Sequence, residues 1–445
     1  MRRQRVLISA IVATVVFIGL VIVLAVIFRP AVTTNPAEVA ERVNVLEGST
    51  NDCVVCHQSS TPGIVQQYGY STMAAANVSC ESCHEVDADA PNAIEHEGTW
   101  VVNSPSPAMC QECHAAEVAQ FNQSRHALPA YVAVAGAEEL SAEHLELYLN
   151  VSEGHPDPSR ARNAIAALEG DDLTPFTCYG CHNVGRPQAD GSVGECQACH
   201  LRHTFSLEQA RKPETCNACH IGPDHPQWEI YQESPHGIAY MTDGHNWNWE
   251  AEPGTLTVED FPAPTCATCH FSGFGASGTS HDVGERLTWF LFSEISERRP
   301  SWRENAVRMQ AVCLECHNRN FIDTFYQAAD RATERVNVWT IEGNEVATTL
   351  MNEGVLTAAP FDQPIDFTIF DLWHHWGRTA KFGVWMQGPD YSQWHGAYEV
   401  LAELAELREF AEAHLDDYDA AEAYEAALPE NIQLPSATEE AQAEE

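Results

Sequence analysis

The spacing of apolar positions changes along the chain and predicts helices in its C-terminal part. From about residue 283 the periodicity is helical: Leu287, Phe290 and Ile295 predict one helix, and 302–335 predicts a second. A third helix is predicted from about Tyr398 to Leu415, with one apolar face formed by Val400, Leu401, Leu404, Leu407 and Phe410. Such a face packs either into the core of its own chain or against another subunit.

The chain before residue 283 has less regular patterning. Residues 137–170 alternate acidic and apolar positions, which predicts a helix followed by a turn at Pro156 and Pro158. The 24 prolines and 26 glycines of the whole chain are typical of a protein with many loops. We therefore expect this part to consist of short elements joined by loops.

An uncharged apolar run occupies residues 6–28, with arginines before it and Arg29-Pro30 after it. A run of this length can cross a bilayer. A cleaved signal peptide is the alternative, but Arg29-Pro30 is a poor cleavage site. The sequence therefore predicts an N-terminal anchor in the cytoplasmic membrane. The preceding arginines place the rest of the chain on the periplasmic or extracytoplasmic side.

Acidic residues outnumber basic ones, 64 to 23, which gives a formal net charge of −41. This charge excludes a nucleic-acid partner, because a polyanion would be repelled. A basic redox partner, such as a small cytochrome, would be attracted. The alternative interpretation is a solvated acidic surface without a specific partner.

All 16 cysteines belong to eight copies of the pattern Cys-x-x-Cys-His. The cysteines are Cys53, Cys56, Cys80, Cys83, Cys110, Cys113, Cys178, Cys181, Cys196, Cys199, Cys216, Cys219, Cys266, Cys269, Cys313 and Cys316. The histidines that close the motifs are His57, His84, His114, His182, His200, His220, His270 and His317. In this pattern both thiols attach a haem covalently and the histidine is the proximal iron ligand.

A single Cys-x-x-Cys would also fit a zinc site or a thiol redox centre. Eight copies that each carry the histidine leave little room for those interpretations, and no thiol remains for a disulfide framework. The sequence therefore predicts eight covalently bound c-type haems.

The haems change the expected fold. Eight large apolar porphyrins supply buried surface that apolar side chains supply in proteins without haem. We predict a mainly α-helical protein with extensive haem-stapled loops, an octahaem cytochrome c. The predicted divisions are an N-terminal anchor, a linker, a multihaem domain with seven motifs, a helical C-terminal domain with the eighth motif, and a disordered acidic tail. They cover residues 1–30, 31–50, 51–282, 283–428 and 429–445.

Distal iron ligands should come from histidines outside the motifs. The chain has 21 histidines, and those not used in the eight motifs are numerous enough to close every iron. The count therefore leaves open whether one iron is accessible to substrate, as a catalytic haem requires. For each candidate, a surface or hydrogen-bonded histidine is the alternative. The candidates are His96, His126, His203, His236, His281, His374 or His375, and His395.

An Asp-His pair follows directly on the sixth motif and lies between two prolines, in the segment His220-Ile-Gly-Pro-Asp224-His225-Pro. A carboxylate beside an imidazole can fix its tautomer, and the pair can transfer protons. By spacing alone, the pair could equally cap a turn or ligate iron.

Several segments together resemble the octahaem hydroxylamine oxidoreductases. They are Cys178-Tyr-Gly-Cys-His182, Cys196-Gln-Ala-Cys-His-Leu-Arg-His-Thr-Phe-Ser206, Asp224-His225-Pro-Gln-Trp-Glu, Ser-Pro-His236-Gly and Asp390-Tyr391-Ser-Gln-Trp394-His395-Gly-Ala-Tyr398-Glu. The resemblance covers about residues 45–415 and leaves out the predicted anchor.

The resemblance implies that the fourth haem, on Cys178 and Cys181 with His182 as proximal ligand, is catalytic and five-coordinate. It implies that Asp224 and His225 accept protons from substrate. Oxidative members of the family are homotrimers in which a tyrosine of a neighbouring subunit is linked to this haem. Tyr391 is the candidate for that link, and Tyr398 is the fallback.

The activity implied by the resemblance is oxidation of hydroxylamine to nitric oxide or nitrite. Electrons would leave through seven bis-histidine haems to a cytochrome c or to the quinone pool. The alternatives are a reductive enzyme that converts nitrite or hydroxylamine to ammonia, and a hydrazine dehydrogenase. A further alternative, from a different class, is an electron conduit with every iron closed and no chemistry of its own.

Overall fold

The computed structural model describes residues 44–151 and 156–427, and these residues are mostly helical. The predicted mainly α fold is thereby confirmed. Within the described residues the one sheet is a hairpin of two antiparallel strands, Ile94–His96 and Thr99–Val101. Glu97 and Gly98 turn the chain with φ of 50° and 89°, and glycine adopts such values without strain. The hairpin presents His96 at its end.

Short helices form the first part of the chain. Several coincide with haem motifs, because one helical turn brings residues i and i+3 to the same side. The α-helices there span Asp52–Ser60, Pro62–Gly69, Thr72–Ala75, Glu81–His84, Pro107–Gln111, Ala115–Gln123, Leu128–Ala135, Ala142–Leu149, Ala164–Leu173, Cys178–His182, Leu207–Arg211, Pro213–Asn217, Gln227–Glu233, Pro235–Asp243 and Cys266–His270. The 3₁₀ turns span Asn183–Gly185, Cys196–Ala198 and Gly244–Asn246.

Longer helices form the second part. The α-helices span Trp302–Leu314, Arg319–Asn352, Pro364–Phe370, Arg378–Met386, Pro389–Ser392, Tyr398–His414 and Ala420–Ala427, and the π-helical turns span Asp371–Gly377 and Gln393–Ala397. Leu350, Leu404 and Leu407 are fully buried where the two longest helices pack together. Arg408 joins them through two hydrogen bonds to Glu342, of 2.6 and 2.8 Å.

The predicted helix from about Tyr398 to Leu415 is confirmed, with bounds Tyr398–His414. The predicted helix over 302–335 is instead two helices, because the motif Cys313–His317 interrupts it. The helix expected in 137–170 is present over Ala142–Leu149.

The helix predicted around Leu287 is wrong. Trp289 pairs with Arg298 in an isolated antiparallel bridge, and the segment between them is irregular. Buried Arg286 donates hydrogen bonds to four main-chain carbonyls around the seventh motif, those of Thr268, Cys269, Ser272 and Gly278. These tertiary contacts hold the segment in loops, although its apolar spacing suits a helix.

The predicted anchor, most of the predicted linker and the predicted disordered tail lie outside the described residues. Within residues 44–151 and 156–427, no helix has both the length and the apolar composition that spanning a bilayer requires. The predicted boundary between a multihaem and a helical domain at 282/283 stays a prediction.

Replacing Leu404 by alanine should destabilise the helical part. The side chain is fully buried, so the substitution should lower the free energy of unfolding by about 2–5 kcal/mol. Leu401 lies on the same helix but is 41% exposed, and its replacement should cost less than about 1 kcal/mol. Denaturant unfolding followed by circular dichroism measures both variants. Equal losses would show that the observed packing of this helix is incorrect.

Candidate functional site

Five pairs of histidines face each other across gaps that suit a metal ion. Two imidazoles that bind one ion have ring centroids about 6 Å apart, because each metal–nitrogen bond is about 2 Å. Each observed pair joins a motif histidine to a predicted distal ligand. The separations are 6.1 Å for His57 and His96, 6.4 Å for His84 and His203, 5.8 Å for His220 and His126, 6.3 Å for His200 and His281, and 6.2 Å for His317 and His236. The residues present therefore fit haems ligated on both faces.

Hydrogen bonds fix the orientation of the motif histidines. Nδ1 of His84 lies 2.8 Å from the carbonyl oxygen of Val102, and Nδ1 of His182 lies 2.6 Å from that of Ala130. A proton held on Nδ1 leaves Nε2 as the ligating nitrogen. Burial lowers the pKa of His126 to about 3, so its imidazole is neutral, as a metal ligand must be.

The remaining assignments are less complete. Within the described residues, no imidazole faces His114 or His270 at the separation seen in the five pairs. His395, a predicted distal ligand, hydrogen-bonds Asp390 at 2.7 Å and stacks on Tyr391. His374, another predicted ligand, lies beside Asp224. These two histidines therefore occupy places other than the distal side of a motif histidine.

Thiols of different motifs lie in contact. Electrostatic interactions link Cys110 to Cys196, Cys181 to Cys219, and Cys216 to Cys266. Electrostatic interactions also link Cys53 to Cys80, Cys83 to Cys110, Cys199 to Cys216, and Cys269 to Cys313. Because each thiol marks the edge of its haem site, the sites form one connected series. The site that begins at Cys178 branches from the one that begins at Cys216.

His182 differs from the other motif histidines in what it faces. The imidazole of His225 lies 6.3 Å from it, at an interplanar angle of 86°. The same imidazole lies 6.2 Å from His220, but His220 also faces the predicted ligand His126. His225 comes from the loop after the sixth motif, and Thr379 fixes that loop by donating a 3.2 Å hydrogen bond to the Pro223 carbonyl. Nδ1 of His225 is 2.7 Å from Oδ1 of Asp224. The structure thus brings the predicted Asp-His pair beside His182.

Asp224 is ionised at neutral pH. Burial acts to raise the pKa of its carboxyl group, but the hydrogen bond and charge of His225 and the nearby His374 and Arg378 outweigh it and lower the pKa to about 2. Oδ2 of Asp224 is 3.9 Å from His374 Nε2 and 3.9 Å from an Arg378 terminal nitrogen. The carboxylate is therefore surrounded by proton-carrying nitrogen groups.

An irregular segment that carries Phe292 and the C-terminal helices together supply the wall of this site. Phe292 packs on the His225 ring at 4.9 Å and on Phe382 at 4.8 Å. Arg378 begins the helix Arg378–Met386, directly after the π-helical turn that carries His374. Sequence reasoning missed Phe292 and Arg378. A signal for Arg378 existed, because a residue four positions after His374 lies on the same helical face.

The two candidate tyrosines lie on the C-terminal segment. The main-chain nitrogen of Tyr391 is 3.2 Å from Oε1 of Glu233, and its ring stacks on His395 at 5.1 Å. Tyr398 is 52% exposed and packs on Trp394. Both side chains are at least partly accessible from outside the chain.

Comparison with known proteins identifies the class. A family model described as "Seven times multi-haem cytochrome CxxCH" matches residues 76–364, and one described as "Cytochrome c554 and c-prime" matches residues 31–85. The first range contains the motifs from Cys80 to His317, and the second contains the motif that begins at Cys53. Covalently attached c-type haems are therefore a property of this chain.

A curated relative from Kuenenia stuttgartiensis is named a probable nitrite reductase-hydroxylamine oxidoreductase fusion protein. It is 32% identical over 257 residues, which are 55% of this chain and 28% of the relative. The matched stretch thus covers little more than a quarter of that longer protein.

Two solved structures share the fold. One, called a hypothetical multiheme protein, has a TM-score of 0.70 at 22% identity, over 87% of this chain and 98% of the other. The second is a reducing HAO-like protein complex of Kuenenia stuttgartiensis, with a TM-score of 0.60 at 18% identity over 84% and 85%. The chain therefore belongs to the multihaem cytochrome c family and has the fold of its hydroxylamine oxidoreductase-like members.

Proposed function

We propose that this chain is an octahaem oxidoreductase that oxidises hydroxylamine to nitric oxide or nitrite. The substrate site is the pocket between His182 and the Asp224-His225 pair. The observation that carries the proposal is this pair, because a carboxylate bonded to an imidazole at 2.7 Å lies between two motif histidines, of which His220 already faces His126 while His182 faces none of the predicted distal ligands. The seven other haems relay electrons.

A haem held by Cys178, Cys181 and His182 supplies the redox-active iron when bound. The protein's own side chains handle the protons that leave the substrate nitrogen. Asp224 stays ionised, so it stabilises a proton on Nδ1 of His225. That arrangement leaves Nε2 of His225 as the proton acceptor. Phe292 covers the His225 ring and limits access of water.

The contacts between thiols support a route for electrons away from this pocket. Cys181 of the fourth motif lies near Cys219 of the sixth motif, and Cys216 of the sixth motif lies near Cys266 of the seventh. Electrons can therefore leave through the sixth site toward either end of the series. The net charge of −41 favours a basic cytochrome c as the final acceptor, with the quinone pool as the other choice.

The quaternary structure and location follow the same proposal. A homotrimer would bring Tyr391 of one subunit to the substrate haem of its neighbour, and the partly accessible Tyr391 and Tyr398 suit such a contact. The apolar run 6–28 would hold the protein at the cytoplasmic membrane with the haems outside the cytoplasm.

Reduction of nitrite or hydroxylamine to ammonia is a second candidate. The observation that favours it is Arg378, a buried cation 3.9 Å from Asp224 that would attract an anionic substrate. The names of the relative, a nitrite reductase fusion, and of the structural neighbour, a reducing complex, agree with this direction. Hydrazine oxidation is a variant of the first candidate.

An electron conduit without chemistry is a third candidate. The His182–His225 separation of 6.3 Å falls within the range of the five ligand-like pairs. In that case His225 would close the fourth iron as its distal ligand.

Asp224→Asn should keep the haem content of the protein and lower kcat for hydroxylamine about 100-fold or more, because proton acceptance contributes that much in comparable enzymes. The measurement is steady-state oxidation of hydroxylamine by purified holoprotein with cytochrome c as acceptor. Asp417→Asn changes an exposed carboxylate in the same way and should leave turnover intact. Unchanged turnover in Asp224→Asn would remove Asp224 from the mechanism.

A haem peptide that contains Cys178–His182 should carry the mass of a second peptide that includes Tyr391. Mass spectrometry of the proteolysed holoprotein makes the measurement. The adduct should be lost in Tyr391→Phe and kept in Tyr398→Phe, and the opposite pattern would assign the link to Tyr398. Wild-type protein without any adduct would contradict the oxidative assignment and favour the reductive one.

A further inference from the structure

His374 and Arg378 converge on Asp224 from one side of the substrate pocket. His374 lies in the π-helical turn Asp371–Gly377, and Arg378 is the next residue along the chain after this turn. Their nitrogen atoms both lie 3.9 Å from Oδ2 of Asp224. At that distance neither makes a hydrogen bond to the carboxylate, so both retain donors that can be used by a ligand.

The guanidinium group of Arg378 is held in place by one bond. Its Nε donates to the Phe292 carbonyl oxygen at 2.8 Å, and its Cζ lies 5.0 Å from the centroid of the Trp373 ring. Within the described residues, no side chain or carbonyl accepts a hydrogen bond from its two terminal nitrogens. Burial lowers the pKa of Arg378 to about 10, which leaves it charged at neutral pH. The fixed fork is therefore available for a second ligand.

His374 is a buried polar side chain without a hydrogen-bond partner in the described residues. Its Nδ1 is inaccessible to solvent and unpaired. An imidazole carries at least one N–H donor, and the other ring nitrogen, Nε2, lies 3.9 Å from Asp224. Buried polar groups are nearly always paired, and an unpaired one marks a place where a ligand or an ordered water belongs.

The charged side chains around Arg378 and His374 favour binding of an anion. Arg378 and the exposed Arg160 are the cations that interact with the carboxyl group of Asp224 or with each other here, and burial lowers the pKa of the neighbouring Lys381 to about 7. Burial raises the pKa of Glu294, the second carboxyl group of the region. Burial is the main cause that lowers the pKa of Arg378, and the positive charge of Arg160 lowers it further. An anion placed between them would relieve this repulsion.

We propose that Arg378 and His374 form an anion-recognition site that holds nitrite at the edge of the substrate pocket. The inference rests on the proposed function, because the anion lies where substrate or product must pass. The planar fork of a guanidinium matches two oxygen atoms of one small anion, and the imidazole supplies a third donor. Uncharged hydroxylamine gains much less from a fixed cation, so the pair determines specificity between nitrite and neutral ligands.

A propionate carboxylate of a bound haem has the same two-oxygen chemistry and is the other possible source of the anion. Optical titration of the ferric holoprotein with sodium nitrite, and separately with hydroxylamine, distinguishes the two. In Arg378→Gln, the nitrite dissociation constant should rise about tenfold to hundredfold, as expected for a lost charge-assisted hydrogen bond. The ratio of the nitrite constant to the hydroxylamine constant should rise by at least about tenfold.

Two further variants complete the experiment. Arg378→Lys keeps the charge without the fork and should recover part of the nitrite affinity. Arg303→Gln removes an exposed arginine that packs on Trp302 and should bind nitrite as the wild type does. If Arg378→Gln loses haem, the comparison is made with Arg378→Lys and His374→Gln, which should both weaken nitrite binding.

Equal changes for nitrite and hydroxylamine, or none, would overturn the inference. An unchanged nitrite constant together with a shifted haem reduction potential would assign Arg378 to a propionate instead. Wild-type protein that does not bind nitrite would also overturn it. A wild-type protein that binds nitrite through Arg378 but fails to oxidise hydroxylamine would refute only the proposed function.

Discussion

The spacing of two imidazoles around an iron is the constraint on which the rest of this structure depends. A bis-histidine haem requires two rings about 6 Å apart on opposite faces of one plate. The partners come from distant parts of the chain: His84 faces His203, and His200 faces His281. Each pair therefore acts as a long-range crosslink. Together with the buried aromatic cluster of Trp247, Trp249 and Phe261, these crosslinks hold the short helices and loops of the first part of the chain in a defined arrangement.

The substrate pocket lies where this haem-linked part meets the longer C-terminal helices. The loop with Asp224 and His225 belongs to the first part, while Phe292, His374 and Arg378 come from the second. The helical part is packed by buried leucines and a paired Arg408, so it needs no haem for its own core. The helical part can therefore hold charged side chains such as Arg378 in fixed positions beside the Asp-His pair. That division places Arg378, a largely buried cation, at the pocket of a protein with a net charge of −41.

Local chemistry could be predicted from the sequence, and tertiary contacts could not. The haem motifs were recognisable because attachment needs five consecutive residues, and the Asp-His pair because its two members are adjacent. Five of the proposed distal histidines face motif histidines in the structure, whereas His374 and His395 do not. Nothing in their neighbouring residues distinguishes these two groups. Similarly, the apolar residues around Leu287 have helical spacing. Buried Arg286 nevertheless holds this segment in loops through its hydrogen bonds to the seventh motif.

The central claim is that the iron opposite His182 keeps an open face, while the irons of the five paired motif histidines are closed on both faces. Quantitative electron paramagnetic resonance of the fully oxidised holoprotein, with and without added nitric oxide or cyanide, measures this most directly. The account predicts one high-spin or ligand-responsive ferric haem per chain, and low-spin bis-histidine signals from the rest. A spectrum with low-spin haems alone and no response to the added ligands would show that His225 caps the fourth iron, and would contradict the account.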